Sequence, residues 1–96
     1  MNSKERSNLR GIASTIEPIT QIGKQGVNDA LLESLDKAIE KREIIKVTVL
    51  ENSGLNSKEI GFEIAEKLGA EFVCAIGRKM VFYRRSKNPN VKHIEF

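Results

Sequence analysis

Gly23-Lys24-Gln25-Gly26 sets a lysine and an amide side chain between two glycines. The stretch follows a predicted strand, Pro18 to Ile22, and precedes a helix predicted to open at Asn28. Glycine has no Cβ, so the backbone can turn sharply and approach a ligand closely at both ends. A lysine ahead of a helix N-terminus adds positive charge where unpaired backbone N–H groups already favour an anion. Residues of this kind at this spacing suit a phosphate, either a nucleotide's or a nucleic acid's. The plain alternative is an ordinary strand-to-helix turn.

Nucleotide chemistry fits the residues poorly. A P-loop needs four residues between its glycines and a Lys-Ser or Lys-Thr pair, whereas this loop has two between and Val27 after. A dinucleotide fingerprint fails for want of a third glycine. A short G-x-x-G loop that clamps a nucleic-acid backbone is the device of KH domains. The loop length matches, but the KH loop joins two helices and this one joins a strand to a helix.

Nothing else along the chain assembles a catalytic set. The single histidine, His93, falls in a predicted tail, and the single cysteine, Cys74, lies in the apolar run Phe72 to Ile76. One Cys and one His cannot supply a zinc site of ordinary ligand count. Cys74 reads as a small buried hydrophobe, and a lone cysteine excludes an internal disulfide. The acids Glu33, Asp36, Glu40 and Glu43 read as solvated helix charges. The expectation is a non-enzymatic protein with neither metal nor cofactor. The polar N-terminus lacks a signal-peptide pattern and no apolar run is long enough to span a bilayer, so a cytoplasmic location is expected.

Charge is unevenly distributed. Net charge is only +3 over 96 residues. From Phe72 to Ile94 there is no acid, while Arg78, Lys79, Arg84, Arg85, Lys87 and Lys92 fall there. A basic end on a mixed domain suggests one positive surface that meets a polyanion, against the plainer reading of a solvated strand end and tail. Aromatic stacking groups are few. Tyr83 is the only tyrosine, and Phe62, Phe72, Phe82 and Phe96 read as core or tail. Binding through phosphates and nucleic-acid shape is therefore expected over base-by-base reading.

The elements that must position these groups are well punctuated. Leu9, Ile12, Ala13 and Ile16 recur at helical spacing, which predicts a helix over Ser3 to Ile16, ended by Pro18. Asn28 caps the second helix, with Val27 and Leu32 as a hydrophobic staple. Ile44 to Leu50 reads as a strand with Ile45, Val47 and Val49 on one face and Lys46 and Thr48 on the other. Asn56 and Glu59 resemble a capping box for a helix that runs to Leu68 and stops at Gly69. Gly61 inside it suggests a close packing point. Phe72 to Ile76 and Lys79 to Arg84 form a predicted hairpin around Gly77-Arg78. Met80 and Phe82 share one face of its second strand; Lys79, Val81 and Tyr83 share the other. The order α-β-α-β-α-β-β predicts a single compact α/β domain over residues 1–86 with a partly parallel sheet, followed by a mobile basic tail over 87–96.

Taken in order, four stretches resemble the CRM domain (chloroplast RNA splicing and ribosome maturation): Leu9 to Gly11, Ile22 to Val27, Ile45 to Val47, and Ile76 to Arg84. A lone short chain is similar to the bacterial stand-alone, YhbY-like members. The resemblance covers about Ser3 to Ser86. It implies a four-stranded mixed sheet packed with helices, similar to the C-terminal domain of a bacterial translation initiation factor. It also implies RNA as partner, rRNA in precursors of the large ribosomal subunit, and a role in ribosome assembly. Gly23, Lys24, Gln25 and Gly26 occupy the family's G-x-x-G loop, and Gly77 to Arg84 its final hairpin. Lys24, Arg78, Lys79 and Arg84 are then expected to neutralise phosphates, and the N–H groups of Gln25 and Gly26 to donate to one. Charge and strand parity add Arg10, Lys46 and Arg85 to the RNA face. The alternative is a ribosome-linked adaptor whose basic face meets an acidic protein.

Overall fold

The computed structural model describes all residues from Met1 to Phe96. Its elements are α1 (Ser3–Ala13), β1 (Thr20–Ile22), α2 (Asp29–Arg42), β2 (Ile44–Val49), α3 (Ser57–Leu68), β3 (Glu71–Ile76) and β4 (Lys79–Tyr83), in the expected order. A short 3-10 turn, Glu51–Ser53, is inserted before α3. The four strands form one mixed sheet in the order β1-β2-β4-β3. The crossover through α2 makes β1 parallel to β2, while β4 is antiparallel to both β2 and β3.

Alternation along the strands sorts the core into two layers. Ile22, Ile45, Val47, Val49, Met80 and Phe82 face α2 and α3 and pack against Leu35, Ile39, Ile64 and Leu68. Ile44, Val81 and Tyr83 face the other way, with Val73, under Leu9 and Ala13 of α1. This second layer covers only part of its sheet face. Toward the G-x-x-G end that face carries Gln21, Thr48 and Lys79, aligned by strand register, and it is partly open.

Several local expectations are met. Asn28 accepts from the Leu31 N–H at 2.8 Å and Gly69 closes α3 in the left-handed region; Asn56 accepts from the N–H groups of Lys58 and Glu59, but Glu59 does not return the bond, so only half of the expected box forms. Other boundaries move. α1 ends at Ala13, not Ile16, because the hydroxyls of Ser14 and Thr15 donate to the carbonyls of Gly11 and Ile12 and compete with further helix. Its start holds an unforeseen reciprocal box between Asn2 and Glu5. β1 begins at Thr20, not Pro18, although the Ile19 N–H already donates to Lys46 O at 2.9 Å.

The segment after Ser86, expected to be mobile, folds back on the domain. Glu43 ends α2 at φ 65° and is fully buried. Its carboxylate accepts from the backbone N–H groups of Ser86 (2.6 Å) and Ile94 (2.7 Å) and contacts His93 Nδ1 at 2.6 Å. Phe96 meets Tyr83 edge to face with ring centroids 4.8 Å apart. So Glu43 is an internal anchor, not the solvated helix charge that its sequence position suggests.

Candidate nucleic-acid interface

The G-x-x-G loop and the hairpin turn come to one end of the sheet. Leu50 N–H donates to Ile22 O at 2.9 Å, and Val49 N–H donates to Arg78 O at 2.7 Å. The C-terminal end of β2 therefore lies between the two loops. β1 and β4 both neighbour β2, so their loops start about 10 Å apart, two strand spacings. Residues separated by more than fifty positions in sequence thus form two lobes of one rim.

Gly23 to Gly26 is a closed four-residue turn, with Gly26 N–H donating to Gly23 O at 3.0 Å. Lys24 and Gln25 stand exposed at its tip. Gly26 has φ 67°, a left-handed conformation that glycine adopts without strain. This geometry corrects one expectation: the Gly26 N–H is used inside the turn and is not offered to a phosphate. Nor is the start of α2 an open anion site. Asn28 caps it and Asp29 carries a negative charge into its first turn. The loop offers an anion the Lys24 ammonium, the Gln25 amide and the Gln25 backbone, without a helix terminus behind them.

At the second lobe, Gly77 has φ 59° and lets the chain reverse in a tight turn. Arg78 is exposed, with one guanidinium nitrogen donating to Leu55 O at 3.0 Å. A guanidinium has five N–H donors, so Arg78 keeps most of its fork after that bond. Lys79 is exposed beside Thr48 on the open sheet face. Lys46, on the same face, reaches Ile16 O at 3.0 Å, and Arg10 on α1 lies by the Cys74 thiol. Burial pushes the Cys74 pKa up, opposed by the charges of Arg10, Arg6 and Lys46. The thiol therefore stays protonated and inert near neutral pH.

The ion pairs involve Lys37, Lys67, Arg84 and His93. Arg10, Lys24, Lys46, Arg78 and Lys79 have no carboxylate partner, so their charges are uncompensated. Arg84 is different, and its expected role as a phosphate ligand is corrected. Its side chain is 18% exposed and bonds Asp36 at 2.7 Å, Glu40 at 3.0 Å and the Leu68 carbonyl at 2.8 Å. The guanidinium clamps α2 to the end of α3. The Ser86 hydroxyl and the Lys87 N–H, together with Arg84, hold the Glu40 carboxyl below its ordinary range against the cost of burial. Arg85 is exposed but lies at the far end of β4 from the Gly77 turn.

One aromatic assignment also changes. Tyr83 is buried under Phe96, whereas Phe62, read from sequence as core or tail, is 65% exposed on α3. The buried stripe of that helix is Gly61, Ile64, Ala65 and Leu68. Phe62 falls outside that stripe, a signal available from helical spacing alone.

A three-helix α/β domain with an uncompensated basic rim at one end of a mixed sheet is the class that fold and site define. The CRS1/YhbY (CRM) domain model matches residues 1–84, and the chain belongs to that family. Among its relatives, the protein of Bacillus subtilis named "Probable RNA-binding protein YqeI" is 34% identical over 87 residues, 91% of each chain. A Haemophilus influenzae protein named "RNA-binding protein" is 26% identical over 92 residues, 96% of this chain and 93% of the relative. The solution structure of the hypothetical protein SAV1595 from Staphylococcus aureus superposes with a TM-score of 0.75 at 35% identity, covering 94% of both chains. The expected fold, a compact domain with three helices and a four-stranded mixed sheet, is the one observed.

Proposed function

We propose that this protein binds RNA through phosphate contacts at the loop rim and the open sheet face, and that its RNA is rRNA in a large-subunit precursor. It acts there as a non-enzymatic assembly factor in the cytoplasm. The observation that carries the reading is the set of five unpaired cations: Lys24 and Arg78 on the loops, Lys46 and Lys79 on the sheet face that α1 leaves partly open, and Arg10 on α1 itself. Membership of the CRM family and the names of its relatives support RNA as the polyanion. The choice of rRNA rests on the family resemblance. The RNA-contacting groups lie within residues 1–86, with 87–96 as a basic C-terminal segment folded back on the domain.

Each neutralised phosphate releases counterion, so the slope of log affinity against log salt reports the number of contacts. Replacing Lys24, Arg78 and Lys79 together by Ala should flatten that slope by about 2–3 and weaken binding of rRNA fragments. An unchanged slope and affinity at moderate salt would refute the assignment of these residues. Sedimentation of cell extract tests the biological target: the protein should travel with a large-subunit precursor and leave it when the three cations are removed.

A further inference from the structure

We propose that the groove between α1 and α3, along the outer edge of β3, is a single-stranded RNA subsite in which a base stacks on Phe62. The inference rests on the RNA-binding reading above and adds a second mode of contact to it. Arg6, Arg10, Lys58, Phe62, Phe72 and Cys74 are among the lining residues. Phe62 is the most exposed large apolar side chain of the fold. It is also held in place. Its ring meets Phe72 edge to face with centroids 5.0 Å apart, and Phe72 in turn lies 5.6 Å from the buried Phe82. A ring fixed from below and open above is a platform that loses little freedom when a base covers it.

The surroundings select among occupants. β3 is an edge strand, but an added peptide strand would meet a blocked edge. Arg6 donates to the carbonyls of Phe72 (2.6 Å) and Val73 (2.8 Å), where the register is broken by a bulge. The groove is also polarised. Arg10 and Lys58 have no carboxylate partner, and Lys58 follows Ser57, whose hydroxyl donates to Gly77 O at 3.1 Å. The basic end of the groove is thus continuous with the Gly77-Arg78 lobe of the rim. The two lining carboxylates, Glu66 and Glu71, stand at the other end, by the last turn of α3 and the start of β3. A nucleic-acid strand leaving the rim meets two free cations for its phosphates and then an exposed ring for a base.

The chain has no tryptophan, so Phe62→Trp places a single reporter in the groove. Its emission should be quenched by a short oligoadenylate and much less by a fully paired RNA duplex. Phe62→Ala should weaken oligoadenylate binding by about tenfold and duplex binding by less than about twofold, because stacking needs an unpaired base. Lys24→Ala should weaken both. RNA affinity that Lys24→Ala lowers but Phe62→Ala leaves intact, with an unquenched tryptophan, would overturn the subsite and leave the rim assignment standing. Wild-type protein without RNA affinity would overturn both. A concentration-dependent blue shift without RNA would assign the groove to a second copy of the chain and overturn the subsite. Should Phe62→Ala fail to fold, the tryptophan quenching decides the matter alone.

Discussion

Gly61→Ala should destabilise this protein, against the rule for glycines inside helices. In an open α3 the substitution would stabilise by about 0.5–1 kcal/mol through lost backbone freedom of the unfolded chain. Here the new Cβ would stand 2.5, 2.7 and 2.9 Å from three carbons at the tip of the Phe72 ring. Carbon pairs are comfortable at about 3.5–4.0 Å, so the ring must move by about 1 Å. It cannot retreat inward, because Phe82 lies there. Moving outward into the groove forfeits contact with Phe82 and disturbs the support of Phe62. Overpacking of this kind costs about 2–3 kcal/mol, which leaves a net loss of about 1–2 kcal/mol after the helical gain. For a domain of this size that lowers Tm by about 5–15 °C. Thermal unfolding followed by circular dichroism measures it directly. The same substitution made in a Phe72→Leu background, where the ring tip is gone, should be neutral or stabilising. A rise in Tm on Gly61→Ala in the wild-type background would refute the packing argument. It would also remove the reason given for the fixed orientation of Phe62.

Two further outcomes follow from the anchor and the loop. Burial raises the Glu43 pKa, but hydrogen bonds from His93 and from the Ser86 and Ile94 N–H groups outweigh it, and the net shift is downward. A carboxylate with a depressed folded pKa contributes stability above its ordinary pKa of about 4.3 and loses it as pH falls through the lower folded value. Glu43→Gln should therefore cost about 2 kcal/mol at neutral pH, since an amide NH2 cannot accept from a backbone N–H, and should flatten the acid limb of stability against pH. Denaturant titrations across that range, in wild type and variant, check both. Gly26→Ala meets no atom within 4 Å, so its cost is purely that of φ +67° in an L-residue, about 1–2 kcal/mol. Differential scanning calorimetry should show the Tm fall, while Gly26→Asn, which tolerates the left-handed region, should recover much of it.

What was legible in the sequence was whatever short-range rules decide. Asn28, Asn56, Gly69 and Gly77 announce their caps and turn because each acts within a few residues. The parity of β2 and β4 was equally readable, since alternation fixes which side chains share a face. The site was legible as far as its residue types. That the G-x-x-G loop and the hairpin turn share one rim depends on β2 lying between β1 and β4, a pairing that short-range signals do not specify. Arg84 looked like a phosphate ligand because its carboxylates, Asp36 and Glu40, lie 48 and 44 positions away. Glu43 looked solvated for the same reason: its partners Ser86, His93 and Ile94 come from the far end of the chain. Long-range ion pairs decide whether a basic residue is free to bind, and they were the part that sequence spacing hid.

That distinction changes how the net charge should be understood. A chain of net charge +3 suggests a weak polyanion binder, if its charges are taken as evenly spread. They are not. On the side of the sheet away from α1, Asp29, Glu33, Asp36 and Glu40 of α2 and Glu59, Glu63 and Glu66 of α3 offset Lys37, Lys41, Arg42, Lys58 and Lys67 of the same helices. Arg84 is consumed on that side too. The rim, the open sheet face and the adjoining α1 keep five cations without carboxylate partners. At about 0.7–0.9 per phosphate, five contacts give a salt slope of about 3.5–4.5, whereas a charge of three acting as a whole would limit it to about 2–3. The asymmetry also orients the encounter, because the cations paired on the α2 and α3 side (Lys37, Lys67 and Arg84) are offset by carboxylates while those of the rim are not. A slope above about three is therefore the mark of a sided protein, and a slope at or below it is the mark of diffuse attraction that needs no site at all.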